Sequence, residues 1–240
     1  MTQRDQYKGA YFTPSGGLVW HWRALWRRRH WMDFIDAVAA ELQQWQPPQK
    51  KLLLLGPSAG WCLPGDFLIR FNEINAIDLD PLAERIFRFN HGRALNRAGT
   101  KLTFELENIF TSFDALLDRF PDHAILFPNM LGQHIYHIDD TDQARIEIES
   151  VKAKLATRHW ASIHDRLSGK IQSGAALPMP ITTREALTAQ ILAEQLKLSG
   201  EWIDHQTTHV LPDGVERRLV GWRLLDTWMH IVEMAQVAPR

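Results

Sequence analysis

The chain has one cysteine, Cys62, so it can close no internal disulfide, a composition that fits a reducing compartment. No apolar run approaches the ~18 residues of a membrane-spanning helix. The opening residues, MTQRDQYKGAYFTPSGG, lack the apolar stretch of a secretory signal. The expectation is a cytoplasmic protein with no membrane partner. Internal repeats and low-complexity segments are absent, and so is a large charge of one sign, the net being −1. With 45% hydrophobic and 23% charged residues, disordered and fibrous classes are excluded. At 240 residues the size suits one large domain, or one domain with an appended arm.

Tryptophan and local charge are what the chain has in excess. Five of its ten tryptophans (Trp20, Trp22, Trp26, Trp31, Trp45) fall in the first fifty residues. Residues 1–30 carry +5 and the remaining 210 carry −6. A basic, Trp-rich helical arm over residues 1–48 therefore precedes an acidic body over 49–240.

Periodicity organises both parts. Trp31, Phe34, Ile35, Val38, Leu42 and Trp45 recur at helical spacing, and Pro47-Pro48 ends that helix. Lys51–Leu55 is a short continuous apolar run before Gly56-Pro57, as expected of a central parallel strand covered on both faces. Strands follow at 74–79, 101–106, 124–127 and 161–164, separated by helices at 81–91, 112–120 and 142–156. That alternation implies βαβ units and a parallel sheet. Thr182-x-x-Glu185 reads as a capping box opening a helix through Leu198. Segments 202–211 and 216–225 flank Pro212-Asp213-Gly214 as an antiparallel hairpin, and 229–237 adds another strand. The fold class is α/β: a Rossmann-like three-layer sandwich with a mostly parallel seven-stranded sheet and an antiparallel C-terminal hairpin.

In such sheets ligands bind beyond the carboxyl ends of the strands. Those ends carry Gly56-Pro-Ser58-Ala-Gly60 after the first strand and Asp78 after the second, 22 residues past Gly56. Glu107-Asn108 follows the third, and Pro128-Asn129-Met130-Leu131-Gly132-Gln133 the fourth. This ordered series, LLLLGPSAG, AIDLDPLAERIFRFN, FELENIF, DHAILFPNMLGQ and WASIHDRLSG, resembles the motifs of the class I S-adenosylmethionine-dependent methyltransferases over roughly residues 50–240. The resemblance implies S-adenosylmethionine as cofactor and methyl transfer to an oxygen or nitrogen as activity. By that likeness Gly56, Ser58 and Gly60 form the methionine-side loop, Asp78 holds the ribose, and Asn108 and Asn129 line the adenine and the methionine side. Ser58 stands in place of a glycine. A nicotinamide enzyme needs glycine there to approach a pyrophosphate, and GPSAGW departs from G-x-G-x-x-G spacing.

On the acceptor side, His134 and His164 follow the fourth and fifth strands. Histidine, with an unperturbed pKa of ~6.5, is suited to assist an acceptor that must lose a proton. Tyr136 and Asp165 are further candidates there. Tyr11 and Trp20 are expected lid residues, and the loop 170–181 is expected to face the acceptor. No metal is expected, because His134-x-x-His137 and His205-x-x-x-His209 lack a third ligand nearby in sequence. The expected partner is a small-molecule or peptide acceptor. The alternative is a non-catalytic adaptor whose Arg27-Arg28-Arg29 and Trp22, Trp26, Trp31 bind RNA or protein. The competing expectation for these residues is a helix that packs its Trp face on the sheet edge and leaves the arginines in solvent.

Overall fold

The structure is a computed structural model, and it describes residues 17–136 and 140–240. The expected lid residue Tyr11 and the expected pair member His137 lie outside the described residues. The arm begins with α1 (Gly17–Arg27), a 3-10 turn over Arg28–Trp31 and α2 (Met32–Gln44). The body runs β1 (Lys51–Leu55), α3 (Gly65–Leu68), β2 (Glu73–Asp78), α4 (Ala83–Ala98), β3 (Lys101–Leu106) and α5 (Ile109–Arg119). It continues through β4 (Ala124–Pro128), α6 (Met130–Gln133), α7 (Thr141–Lys154) and β5 (Trp160–Lys170). The last elements are β6 (Ile181–Thr183), α8 (Ala189–Gln195), β7 (Trp202–Asp204), β8 (Arg217–Leu225) and β9 (Trp228–Val237).

These strands form one sheet in the order β3-β2-β1-β4-β5-β9-β8-β6, with β7 also pairing β5. The first five are parallel, and β9, β8, β6 and β7 join antiparallel. The order reverses between β1 and β4, so a cleft opens above their carboxyl ends. Leu52 to Leu55 explain why β1 is central, since all four are fully buried. Leu52 and Leu54 face α2, α3 and α4, against Phe34, Val38, Phe67 and Phe87; Leu53 and Leu55 face α5 and α7, against Phe113, Leu116, Ile148 and Val151. Each leucine buried this way contributes about 1.5–3 kcal/mol.

Three expectations are corrected. The sheet has nine strands among the described residues, not seven. The helix expected over 182–198 is shorter: Ile181–Thr183 pairs with Arg217–Leu219 at the edge of β8, and the helix starts only after Thr188, whose Oγ1 accepts the Ile191 N–H at 3.3 Å. An open strand edge outcompeted a local cap. The C-terminal hairpin is β8 to β9 around Asp226-Thr227, not one turning at Pro212-Asp213-Gly214. The buried ten-residue β9 pairs with both β5 and β8, leaving only Trp202–Asp204 of the earlier segment in the sheet.

Candidate active site

The loop after β1 is shaped by positive backbone φ at Gly56 (69°), Ser58 (49°) and Gly60 (63°). A Cβ on Gly56 would stand 2.6 Å from Met130 Cβ, and one on Gly60 would stand 2.7 Å from His91 Nε2. Both positions therefore require glycine for conformation and for space. The Gly56 N–H donates to the Ile77 carbonyl at 2.8 Å, tying the loop to the end of β2.

Asp78 stands at that end. Its Oδ2 accepts the Ser58 N–H at 2.6 Å and its Oδ1 accepts the Asp80 N–H at 2.8 Å. Burial pushes its carboxyl up to about 6, against the pull of those backbone donors. Asp80, two residues on, serves the backbone instead: it accepts from Leu82 N–H at 2.9 Å and Gly17 N–H at 2.8 Å and pairs with His21 Nε2 at 2.9 Å. Burial alone would raise Asp80, but those partners hold it below the usual carboxylate range.

The arm reaches this loop from above. Trp20 Nε1 donates to Ser58 Oγ at 3.1 Å, and its ring stacks on Trp31 and meets Trp222 edge-on. Trp61 Nε1 donates to His21 Nδ1 at 3.1 Å. Trp31 is buried in the core, whereas Trp22 and Trp26 are each 65% exposed. The tryptophans of the arm thus divide between core and solvent.

The other expected residues are more dispersed. Asn108 is the N-cap of α5, its Oδ1 accepting the Phe110 N–H at 3.1 Å. Asn129 has φ 79° and clasps Asp165: its Nδ2 donates to Asp165 Oδ2 and its Oδ1 accepts the Asp165 N–H, both at 3.0 Å. His134 is buried beside α7, its Nε2 2.8 Å from Glu147 Oε2 and its ring stacked on Phe110. His164 lies inside the sheet with both nitrogens engaged, Nδ1 with Ser162 Oγ at 2.8 Å and Nε2 with Glu233 Oε2 at 3.0 Å. Burial lowers its imidazole below the usual range. The fold therefore gathers Gly56, Ser58, Gly60, Asp78 and Asn129 at neighbouring strand ends, with Asn108 at the exposed start of α5 and His164 within the sheet.

Sequence reading missed His230. It lies in β9 opposite Ser168, with Nδ1 3.0 Å from Asp165 Oδ1 and its ring 5.4 Å from that of Trp222. His205, just after β7, donates Nδ1–H to the Gly132 carbonyl, and its Nε2 lies 2.9 Å from Ser168 Oγ. Burial alone would raise Asp165, but His230, His205 and Asn129 hold it below the usual range. Only the apolar context of a histidine in mid-strand marked position 230 in the sequence; its partners come from three other segments.

No known family profile matches the chain, and no curated protein matches it. Among solved structures it is similar to the N-methyltransferase NodS from Bradyrhizobium japonicum WM9 in complex with S-adenosyl-L-homocysteine. That similarity spans 85% of this chain and 86% of that one at 15% identity, with a TM-score of 0.40. It is also similar to magnesium protoporphyrin IX methyltransferase from Synechocystis PCC 6803 with bound S-adenosylmethionine, over 98% and 91% at 12% identity, with a TM-score of 0.43. These superpositions are loose, and the architecture rests on the chain's own strand order. Five parallel strands in the order 3-2-1-4-5, continued by an antiparallel hairpin, form the Rossmann-like sheet expected from the motifs.

Proposed function

We propose that this chain is an S-adenosylmethionine-dependent methyltransferase acting on an oxygen or nitrogen of a small-molecule or peptide acceptor. The observation that carries the reading is Asp78, a buried carboxylate held against the glycine loop at the sheet's switch point. A carboxylate offers about four acceptor positions. Backbone N–H groups of Ser58, Asp80 and Leu79 act on it, which leaves capacity for a ribose hydroxyl.

In this reading Gly56, Ser58 and Gly60 form the methionine-side loop, and Trp20 closes over it. Asn129 stands on the methionine side and Asn108 beside the adenine, its Nδ2 remaining available while Oδ1 caps α5. The bound cofactor supplies an electrophilic methyl on a sulfonium, which makes in-line positioning the protein's main task. His134, paired with Glu147, is the histidine that assists the acceptor; His164, enclosed between Ser162 and Glu233, has the structural part.

The test is thermal unfolding with S-adenosylmethionine, S-adenosylhomocysteine and, as control, NADH. Ligand at about 100 times its dissociation constant adds ~2.7 kcal/mol, a rise of roughly 5–11 °C for a chain of this size. Asp78→Asn should abolish the shift. It should also remove a pH dependence: because the folded Asp78 titrates near 6, above its unfolded value, wild-type stability declines as pH rises from about 4 through 6. Absence of any shift at millimolar adenosyl ligand sinks the reading.

One observation favours a second reading, an adaptor that binds a protein. The outer face of α1 exposes Leu18, Trp22, Leu25 and Trp26, each more than half accessible among the described residues. If Asp78→Asn leaves all cellular function intact while Trp22→Ala with Trp26→Ala removes it, the adaptor replaces the enzyme.

A further inference from the structure

Three groups distant in sequence converge beside Asn129: Asp165 in β5, His205 after β7 and His230 in β9. One potential ligand atom from each lies within 4.8 Å of the other two, and all three residues are buried. Asp165 Oδ1 and His230 Nδ1 are 3.0 Å apart, yet neither makes a hydrogen bond of acceptable geometry. His230 Nε2 has no partner either, although the residue is only 8% exposed. Of these atoms His230 Nε2 is wholly without a partner among the described residues, at a cost of ~1–3 kcal/mol, while Asp165 Oδ1 and His230 Nδ1 meet as an ion pair. A carboxylate oxygen and an imidazole nitrogen about 3.0 Å apart match adjacent ligands of one ion at bonds of about 2.1 Å.

The surrounding groups are arranged to the same end. His205 donates Nδ1–H to the Gly132 carbonyl, the tautomer that leaves a lone pair on Nε2, which faces Ser168 Oγ at 2.9 Å and reaches an ion by giving up that hydroxyl. Metal-bound histidines are commonly oriented by such a carbonyl bond. Asn129 fixes Asp165 through two hydrogen bonds. Gly132 permits the close approach, since a Cβ there would stand 2.5 Å from the Asp165 backbone nitrogen. A register shift in β5 just after Asp165 sets that residue against β9 near His230.

We propose that Asp165, His205 and His230 bind a divalent first-row transition-metal ion. Two imidazoles and one carboxylate suit Zn²⁺, Fe²⁺ or Mn²⁺ better than Ca²⁺ or Mg²⁺, which prefer all-oxygen sites. Ion binding stands on the geometry alone. Its use rests on the methyltransferase reading: three protein ligands leave positions open for an acceptor hydroxyl, whose pKa a bound cation lowers, so the favoured acceptor atom is oxygen.

The experiment titrates Co²⁺ as spectroscopic probe, and Zn²⁺ by calorimetry, into chelator-stripped full-length protein. The expected result is uptake of close to one ion per chain with visible cobalt d–d absorption. His230→Gln and His205→Gln should each weaken binding by at least tenfold while far-UV circular dichroism remains native. Zinc-edge X-ray absorption on wild-type protein should show imidazole scattering from two histidines, a readout that survives if a variant fails to fold. No uptake by wild type, uptake unchanged in both variants, or a zinc shell without two imidazoles overturns the site. Thermal shift with S-adenosylmethionine on the stripped protein reports separately on the cofactor reading, so either proposal can fail alone.

Discussion

Glu233→Gln is the perturbation that most directly tests how the antiparallel half of the sheet is held. Glu233 is fully buried in β9, with Oε1 3.1 Å from Arg166 Nη1 and 3.5 Å from Arg217 Nη1, and Oε2 3.0 Å from His164 Nε2. Both arginines are themselves buried. They also bond the carbonyls of Leu187, Leu211 and Pro212, so the cluster ties the segment between β5 and β8 to the sheet. Burial alone would raise the Glu233 carboxyl, but Arg166, His164 and Arg217 outweigh it and bring the value down to about 2. Relative to an ordinary glutamate near 4.3, that depression corresponds to about 3 kcal/mol of stability at neutral pH. Removing one partner of a buried ionic cluster costs ~3–5 kcal/mol by an independent argument, because it strands the remaining charges. The expected loss for Glu233→Gln is therefore about 3–5 kcal/mol, a fall in melting temperature of roughly 6–20 °C.

The pH dependence has a definite sign. A depressed carboxyl stabilises fully above its unfolded pKa and loses that contribution as pH falls toward its folded one. The difference between wild type and variant should thus be constant above about pH 5 and shrink as pH falls from about 4.5 toward 2. Urea unfolding of both proteins from pH 8 down to the lowest pH that preserves the native state measures this. A difference under about 1 kcal/mol at pH 7, or one that stays constant between pH 5 and 3, would refute the account of the cluster.

Three further outcomes are expected. Gly56→Ala must hold a side chain at φ 69° and press its Cβ on Met130, so unfolding should show a loss of at least ~1–2 kcal/mol together with a smaller adenosyl-ligand shift; unchanged stability would mean the loop is not constrained as described. Trp31→Ala, which removes a buried ring stacked on Trp20 and edge-on to Trp222, should cost about 3–5 kcal/mol. Arg27→Ala, four positions away, breaks only the exposed pair with Asp226 and should melt indistinguishably from wild type.

The central strands were legible because their residues carry their own reasons. Four consecutive leucines at 52–55 have the look of a strand covered on both faces, and Gly56 marks the tight exit that follows. Asp78 and Ser58, 20 residues apart, were expected at adjacent strand ends, and the structure joins them by a 2.6 Å hydrogen bond. Trp20, expected as a lid residue, donates to Ser58 in the loop after β1. Where local and nonlocal preferences competed, sequence reading failed. Thr182 and Thr183 carry a helix-capping pattern, but the unpaired edge of β8 offered them backbone partners. Pro212-Asp213-Gly214 is a good turn by composition, yet β9 pairs along ten residues and takes the hairpin for itself.

What the amino-acid order alone determined, then, is the alternating α/β pattern, the glycine loop, the place of Asp78 at the end of the second strand and the basic excess of the first thirty residues. Each depends on a few neighbouring residues, through periodicity, turn conformation or net charge. The tertiary structure alone decided that Asp165, His205 and His230 meet, that Glu233 draws in two arginines and His164, and that the arm's tryptophans split between core and solvent. Such meetings join segments up to dozens of residues apart, and they follow from strand order and register. These are set by the packing of the whole sheet, not by any local stretch of chain.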